Sequence, residues 1–303
     1  MKKTRKSKNS SQLDKPVGYL IPKSIFLQGN TLGKFEQISA SLLPIFSWKR
    51  KSLPKYCFVS HRWLFVKDPD NSLNTFSLIV KAFCVAREDV EYLWIDYVCL
   101  PQEASERNFL VGHMKKIVSY ASELFIVPLS GSSKSLIPSY DVQSYCFRAW
   151  CVFEFSSFMD RPQKISIARL KKNTSDLKVK FLKLPSLEKE DQTMALVNSF
   201  VVLKDIVFRN DFEGFQTFYS VSVSSDMKRV WQLLLDNATT LLKIQPDATS
   251  FYDEQGNETK DAEEQETFEH HLYKIQNVLG VESGLPPPNK SGMCECETNC
   301  NIM

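Results

Sequence analysis

The first half of the chain alternates short apolar runs with amphipathic stretches. The runs at residues 56–60, 92–96 and 124–129 are rich in β-branched and aromatic residues, and two of them end in a polar residue. Such runs are typical of the buried strands of a parallel sheet. Residues 164–168 form a candidate fourth strand. Apolar residues at helical spacing predict three further elements, the helices at residues 72–87, 106–121 and 145–159.

Strands that alternate with helices at this spacing predict an α/β fold, with a parallel sheet that carries helices on both faces. In such sheets, ligands bind beyond the carboxyl ends of the strands. Residues 60–63 and 96–102 are therefore the candidate site-forming loops. The pattern is looser after residue 173, where we expect an edge strand at residues 178–184 and helices at residues 187–207 and 226–244.

These patterns divide the chain into four predicted parts. Residues 1–50 are a basic N-terminal segment whose first part is expected to be disordered, and residues 51–170 are the α/β domain. Residues 171–246 are a mixed, mainly helical extension that packs on this domain. Residues 247–303 are an acidic, flexible tail, in which only residues 262–279 have the pattern of an amphipathic helix.

The net charge of +3 conceals two oppositely charged ends. Residues 1–51 carry eleven Lys and Arg against two acidic residues, a net +9, and residues 247–303 carry twelve Asp and Glu against three Lys, a net −9. Charged ends around a nearly neutral centre are more typical of solvated tails than of a nucleic-acid interface. The chain also lacks zinc-finger spacing and an aromatic RNA-binding motif, so we expect no nucleic-acid partner.

The composition is that of a globular protein, with 43% hydrophobic and 24% charged residues among 303. No apolar run reaches the roughly 18 residues that a transmembrane helix needs. The basic N-terminus lacks the apolar segment of a secretion signal. We therefore expect a reducing compartment, in which five of the eight cysteines are core thiols.

Three motifs of polar and aromatic residues stand out. SHRW at residues 60–63 and WIDYVCLPQ at residues 94–102 coincide with the ends of two predicted strands, and RAWCVFE at residues 148–154 lies on the third helix. Trp150 and Glu154 are four residues apart, so they share one helix face. A carboxyl group beside an aromatic ring on an apolar helix is expected to be partly desolvated, which raises its pKa and suits it to proton or cation chemistry.

Together the three motifs resemble the TIR-like superfamily, and they are more similar to its HET-like (heterokaryon-incompatibility-type) and divergent eukaryotic branches than to receptor TIR domains. The resemblance covers about residues 55–160. It implies a flavodoxin-like, three-layer fold, self-association through this domain, and signalling in innate immunity or cell death. For catalytic members it also implies hydrolysis of the nicotinamide–ribose bond, with NAD as substrate and with neither a resident cofactor nor a metal.

The family's catalytic members carry a W-x-x-x-E pattern with an essential Glu, and Trp150 and Glu154 match it. The resemblance therefore makes Glu154 the candidate catalytic residue and Trp150 a candidate substrate contact. Asp96 matches the acidic residue that ends the second strand of the family. Arg148 is a further candidate to hold the pyrophosphate of NAD.

The loop after the first strand matches the family's loop that lines the nucleotide pocket. It supplies four candidate substrate contacts, namely Ser60, His61, Arg62 and Trp63. His61 and Arg62 are also candidates for the pyrophosphate. The His-Arg-Trp triplet, the Pro-Gln loop and the long C-terminal extension depart from ordinary TIR domains. A non-enzymatic self-assembly or adaptor module therefore stays an alternative function.

Each of these residues also has a purely structural interpretation. Glu154 then pairs with Arg148 or Arg161 at the helix surface. In the structural interpretation, Asp96 accepts hydrogen bonds from the loop that follows it, and His61 is a hydrogen-bonded loop residue. The tryptophans of the motifs are then packing residues of the core, namely Trp63, Trp94 and Trp150.

The last residues give an independent signal. The sequence CNIM fits the C-a-a-X prenylation motif at Cys300, and Met as its last residue favours farnesyl. Because one prenyl chain holds a membrane weakly, a second signal is expected, and palmitoylation of Cys294 or Cys296 is the candidate. Zinc binding by these three cysteines is the alternative, but a fourth ligand and the usual spacing are missing. Prenylation predicts the cytoplasmic face of a membrane in a eukaryotic cell, and a cytosolic protein if the motif is not used.

Overall fold

The computed structural model describes most of the chain up to residue 243. The tail helix predicted at residues 262–279 and the candidate lipidation residues Cys294, Cys296 and Cys300 lie outside the described residues. All described residues belong to one unit, Met1–Ile244. They are residues 15–29, 32–49, 53–63, 70, 74–131, 138–172, 177–184, 191–221 and 224–243.

Within these ranges the chain forms nine strands and eleven helices, with two 3₁₀ turns. The strands are β1 (Gly18–Pro22), β2 (Leu43–Ile45), β3 (Tyr56–His61), β4 (Tyr92–Trp94), β5 (Glu123–Val127), β6 (Leu129–Ser130), β7 (Ser139–Tyr140), β8 (Ile165–Lys172) and β9 (Leu177–Lys183). The helices are α1 (Lys23–Gln28), α2 (Phe35–Ile38), α3 (Thr75–Ala86), α4 (Asp96–Cys99), α5 (Ala104–Val111), α6 (Met114–Tyr120), α7 (Val142–Cys146), α8 (Ala149–Ser156), α9 (Asp191–Phe208), α10 (Phe212–Phe218) and α11 (Ser224–Lys243).

Seven of the strands form one mixed sheet, in the order β2-β1-β4-β3-β5-β8-β9. The central strands β4, β3, β5 and β8 pair in parallel, whereas β1, β2 and β9 pair antiparallel. The prediction of a parallel sheet is therefore right for the centre and wrong for both edges. Only four residues connect β8 to β9, which is too few for the crossover that a parallel pair requires. Strands β1 and β2 come from a stretch in which the sequence pattern predicted no strand.

Strand β3 is buried on both faces, and its alternating side chains show how helices cover the sheet. All six of its residues are buried. Tyr56 donates a hydrogen bond to the carbonyl oxygen of Ile117 in α6, and Ser60, on the same face, contacts α8. His61 points to the other face and stacks on Phe76 of α3, with 4.1 Å between the ring centroids. Helices therefore lie on both faces of the sheet.

Two of the predicted helices are interrupted. The stretch at residues 106–121 is divided at Gly112 into α5 and α6, and the stretch at residues 145–159 is divided at Arg148 into α7 and α8. Glycine is unfavourable in a helix interior, which explains the first break. At the second break, Arg148 is extended, and its backbone forms a parallel bridge with Ser220 from the extension.

The extension that follows β9 is mainly helical, as predicted. Helix α9 packs on α7 and α8, α11 packs on α8, and α10 contacts both α9 and α11. Two hydrogen bonds link α8 to this part of the chain. The backbone N–H of Ala149 donates to the carbonyl oxygen of Ser220 over 3.0 Å, and the indole N–H of Trp150 donates to the carboxylate of Asp226 over 3.2 Å. The site described below is therefore attached to the extension.

Helix α3 is anchored to the sheet by Phe83. Its ring stacks on Phe125 of β5, with 3.9 Å between centroids, and meets the ring of Phe181 of β9 edge-on at 5.6 Å. Phe83 is only 1% exposed, whereas Leu78 on the outer side of the same helix is 55% exposed.

Replacing Phe83 with Ala should lower the free energy of unfolding by about 3–5 kcal/mol, because the change removes a buried ring and leaves a cavity. The matched control is Leu78→Ala, which should stay within about 0.5 kcal/mol of wild type. Urea denaturation followed by tryptophan fluorescence measures both values. Equal losses in the two variants would contradict the anchoring role of Phe83.

Candidate functional site

The three sequence motifs meet at the carboxyl edge of the parallel strands. Strand β3 ends at His61, and β4 ends shortly before Asp96, which is already the first residue of α4. Helix α8 brings Glu154 to the side chain of Ser60. The thiol of Cys151 in the same helix lies 3.5 Å from the carbonyl oxygen of His61. The site is thus built from two strand ends and one helix face.

Glu154 is buried against two hydroxyl groups. Ser60 Oγ donates to Glu154 Oε2 over 2.5 Å, and the hydroxyl of Tyr145 lies 2.5 Å from Ser60 Oγ. Burial raises the pKa of Glu154 well above its usual value of 4.5. The hydrogen bond from Ser60 opposes this shift, and the negative charge of Asp96 adds to it. The carboxyl group therefore holds its proton more tightly than an exposed glutamate does.

The hydrogen-bonded hydroxyl groups of Ser60 and Tyr145 are compatible with both protonation states of Glu154. The ionised carboxylate accepts from Ser60, which in turn accepts from Tyr145. When Glu154 is protonated, the direction reverses, and the last donor, Tyr145, points to the carbonyl oxygen of Cys151 at 3.3 Å. Hydroxyl hydrogens rotate freely enough to suit either arrangement. A proton can thus be gained or lost here without leaving a buried donor unpaired.

Tyr145 was not among the residues predicted for the site. It is fully buried in α7, the helix that precedes α8. In the sequence it is one aromatic residue of an apolar stripe, with no motif around it. Its contact with Ser60 depends on the break between α7 and α8, which the helical pattern did not reveal.

Asp96 is the second carboxyl group of the site, and both of its oxygens have fixed donors. The indole N–H of Trp63 donates to Asp96 Oδ2 over 2.7 Å, and the backbone N–H of Tyr97 donates to Asp96 Oδ1 over 2.6 Å. The rings of Trp63 and Tyr97 also meet edge-on at 5.5 Å. The Asp96 side chain is 29% exposed, so the site reaches solvent here, unlike at Glu154.

His61 lies beside Asp96, but the two do not form an ion pair. His61 Nε2 is 3.7 Å from Asp96 Oδ1, and the histidine side chain is 2% exposed. Burial lowers the pKa of His61 below its usual 6.5, and the negative charges of Asp96 and Asp70 only partly oppose this effect. The imidazole is therefore neutral near pH 7.

The remaining predicted residues lie around this centre. Burial lowers the pKa of Arg148 from its usual value, and the positive charge of Arg62 adds to this effect, so the two arginines are close enough to influence each other. Trp150 gives its indole N–H to Asp226 of α11. Within the described residues, no Lys or Arg forms an ion pair with Glu154.

Two further features concern the described part of the chain. No group of three or more His, Cys, Asp and Glu side chains in it is placed to hold a metal ion. None of its helices combines the length and the apolar composition that crossing a bilayer requires.

Comparison with known proteins matches much of this region to one family. Residues 48–151 match the model of a family described as Heterokaryon incompatibility protein (HET). The match supports a HET-like family. It includes Asp96 and Trp150 and ends at Cys151, so that Glu154 follows just beyond the matched residues. No curated protein and no solved structure gives a significant match to the chain.

The raised pKa of Glu154 predicts a pH-dependent gain in stability for Glu154→Gln. A carboxyl group whose folded pKa lies above the unfolded value stabilises the fold fully below pH 4.5, and this contribution is lost as the pH rises through the folded pKa. Gln mimics the protonated group at every pH. Above pH 4.5, the free energy of unfolding of the variant should therefore rise relative to that of wild type, by at most about 1.4 kcal/mol per pH unit.

Urea denaturation of both proteins across the pH range measures this difference. His61 titrates equally in both proteins, so its contribution cancels. Glu213→Gln, at an exposed position on α10, is the control and should show little pH-dependent difference. If the curves of Glu154→Gln and wild type stay parallel above pH 4.5, Glu154 has no raised pKa.

Proposed function

We propose that the chain is a HET-like signalling protein of the heterokaryon-incompatibility, cell-death type, and that its site hydrolyses the nicotinamide–ribose bond of NAD. The observation that carries this proposal is the buried carboxyl group of Glu154, which has two hydroxyl groups beside it and lies at the carboxyl edge of the parallel strands. A carboxyl group buried without a cationic partner costs stability, and such groups concentrate at functional sites.

The chemistry of the bond fits this carboxyl group. Nicotinamide leaves NAD as a neutral molecule, while positive charge develops on the ribose. A carboxylate beside the ribose stabilises that charge. NAD also carries a positive charge on its nicotinamide ring, which would lower the pKa of Glu154 on binding. Glu154 would then ionise when substrate is present, and the hydroxyls of Ser60 and Tyr145 would turn toward it.

The order of the parallel strands supports the finer description of the fold as flavodoxin-like and TIR-like. Numbered along the chain, the parallel strands β3, β4, β5 and β8 lie in the order second, first, third and fourth. This order is the one that flavodoxin-like folds share. Their ligands bind at the point where the strand order reverses, next to the first strand. Ser60 and His61 occupy the end of that strand.

The alternative function is a non-enzymatic module that signals by self-association or as an adaptor. One observation favours it, namely that the indole N–H of Trp150 is already bound to Asp226 of the extension. A tryptophan held in this way serves to attach α8 to α11. In this alternative, Glu154 is a buried structural group.

The purified full chain at high concentration should release nicotinamide from NAD. In Glu154→Gln the rate of release should be at least 100-fold lower, because the variant cannot form the carboxylate. Glu213→Gln should keep the wild-type rate. Nicotinamide is measured by chromatography, and folding of each variant is checked by denaturation. No release by wild type would favour the assembly module, and release that survives Glu154→Gln would contradict the assignment of this residue.

We also propose a place for the protein at the cytoplasmic face of a membrane, held by a prenyl group on Cys300. The support is the sequence CNIM, and the proposal requires that the protein end at Met303. Palmitoylation of Cys294 or Cys296 would supply the second signal that stable anchoring needs. Confinement to a membrane would raise the local concentration and so favour self-association.

In a eukaryotic cell, Cys300→Ser should move an N-terminally tagged protein from membranes to the cytosol, because the prenyl acceptor is lost. Replacing both Cys294 and Cys296 with Ser should weaken membrane retention but leave prenylation intact. Fractionation and fluorescence microscopy measure the distribution. If wild type and Cys300→Ser are equally cytosolic, the prenylation proposal is wrong.

A further inference from the structure

The imidazole of His61 ends in a buried nitrogen with no hydrogen-bond partner among the described residues. This atom is Nε2. One face of the ring stacks on Phe76, with 4.1 Å between the ring centroids and an angle of 25° between the ring planes. This contact holds the imidazole in place. Buried polar atoms in folded proteins nearly always have a partner, so an unpartnered one points to a bound water or ligand.

The unpartnered nitrogen is an acceptor. The backbone of Val59, two residues earlier in the same strand, favours a proton on the ring and so raises the pKa of His61, and since Nε2 has no partner, we assign the N–H to Nδ1. A neutral imidazole has one N–H, and its other nitrogen carries a lone pair. With the N–H at Nδ1, the lone pair is on Nε2.

A second acceptor faces this lone pair. Asp96 Oδ1 lies 3.7 Å from His61 Nε2, which is too long for a direct hydrogen bond. The carboxylate cannot turn away easily, because Trp63 and Tyr97 each donate to one of its oxygens. Two fixed acceptors at this separation are suited to one molecule that donates two hydrogens. Water is the smallest such molecule.

We propose that His61 and Asp96 bind and orient the attacking water of the hydrolysis, and that His61 is the general base that accepts its proton. This inference rests on the proposed function. It gives His61 a role different from the contact with the pyrophosphate for which the sequence made it a candidate. The Asp96 side chain is 29% exposed, so solvent reaches this member of the pair directly.

The proposed step is a substitution by water at C1′ of the ribose. The water oxygen bonds to C1′ of the ribose as the bond from C1′ to the nicotinamide nitrogen breaks, and the electron pair of that bond stays on nicotinamide. One water proton passes to His61 Nε2, and Asp96 stabilises the imidazolium that forms. The proton then leaves to solvent, so that the products are ADP-ribose, nicotinamide and one proton. Glu154 acts on the ribose cation, and His61 acts on the nucleophile.

Azide provides the test, because it attacks a ribose cation without giving up a proton. His61→Gln should lower the rate of nicotinamide release in water by about 100-fold or more. Added azide should restore release in His61→Gln, with ADP-ribosyl azide as a product, and should not restore it in Glu154→Gln. His113→Gln is the matched histidine control, at a half-exposed position on the turn before α6, and should behave as wild type.

Asp96→Asn is the second variant, in case His61→Gln does not fold, and it should also lose hydrolysis and regain release with azide. A folded His61→Gln variant that keeps the wild-type rate, or is not rescued by azide, overturns the proposal. If wild type releases no nicotinamide, the proposed function is wrong. Nitrogen NMR of the full chain then tests separately whether His61 Nε2 and Asp96 Oδ1 are two acceptors that share a water. An unprotonated Nε2 with a bound water supports the pair, and a protonated Nε2 overturns it.

Discussion

The hydrogen bond between Ser60 and Glu154 is the interaction on which the candidate site depends. It joins the end of the central strand β3 to helix α8 and is made inside the protein, where water does not compete for either group. Such bonds are strong in a low-dielectric interior, and an unpaired carboxyl group there would be costly. The contact therefore links α8 to the sheet and, at the same time, holds an ionisable group away from water.

The two carboxyl groups of the site differ because their surroundings differ. Glu154 is enclosed and has neutral hydroxyl neighbours, whereas Asp96 is partly exposed and accepts two N–H bonds. In this chain the difference follows from position, since one residue lies on a covered helix face and the other at an open strand end.

The local sequence was enough to predict β3 and β5, because both are buried on each face and appear as short apolar runs. It also predicted α3 and the helical extension, because their buried residues repeat at helical spacing. The rule that ligands bind beyond the carboxyl ends of strands placed Ser60 and Asp96 at one edge of the sheet, whereas Glu154 became a candidate through the family resemblance of its motif. What escaped prediction depends on distant parts of the chain. Strand β1 pairs with β4, Tyr145 reaches Ser60 only because α7 and α8 are separate, and Asp226 contacts Trp150 from 76 residues away. No local pattern encodes such partners.

The attachment of α8 to the extension has a practical consequence for fragments of this protein. The residues that match the HET family end at Cys151, inside the first turn of α8. A fragment cut there would lose Glu154 and also the Ser220 backbone that receives the N–H of Ala149. The stretch that matches the family model is thus shorter than the stretch that packs together around α8. Expression of the domain calls for a boundary beyond Lys243, the last residue of α11.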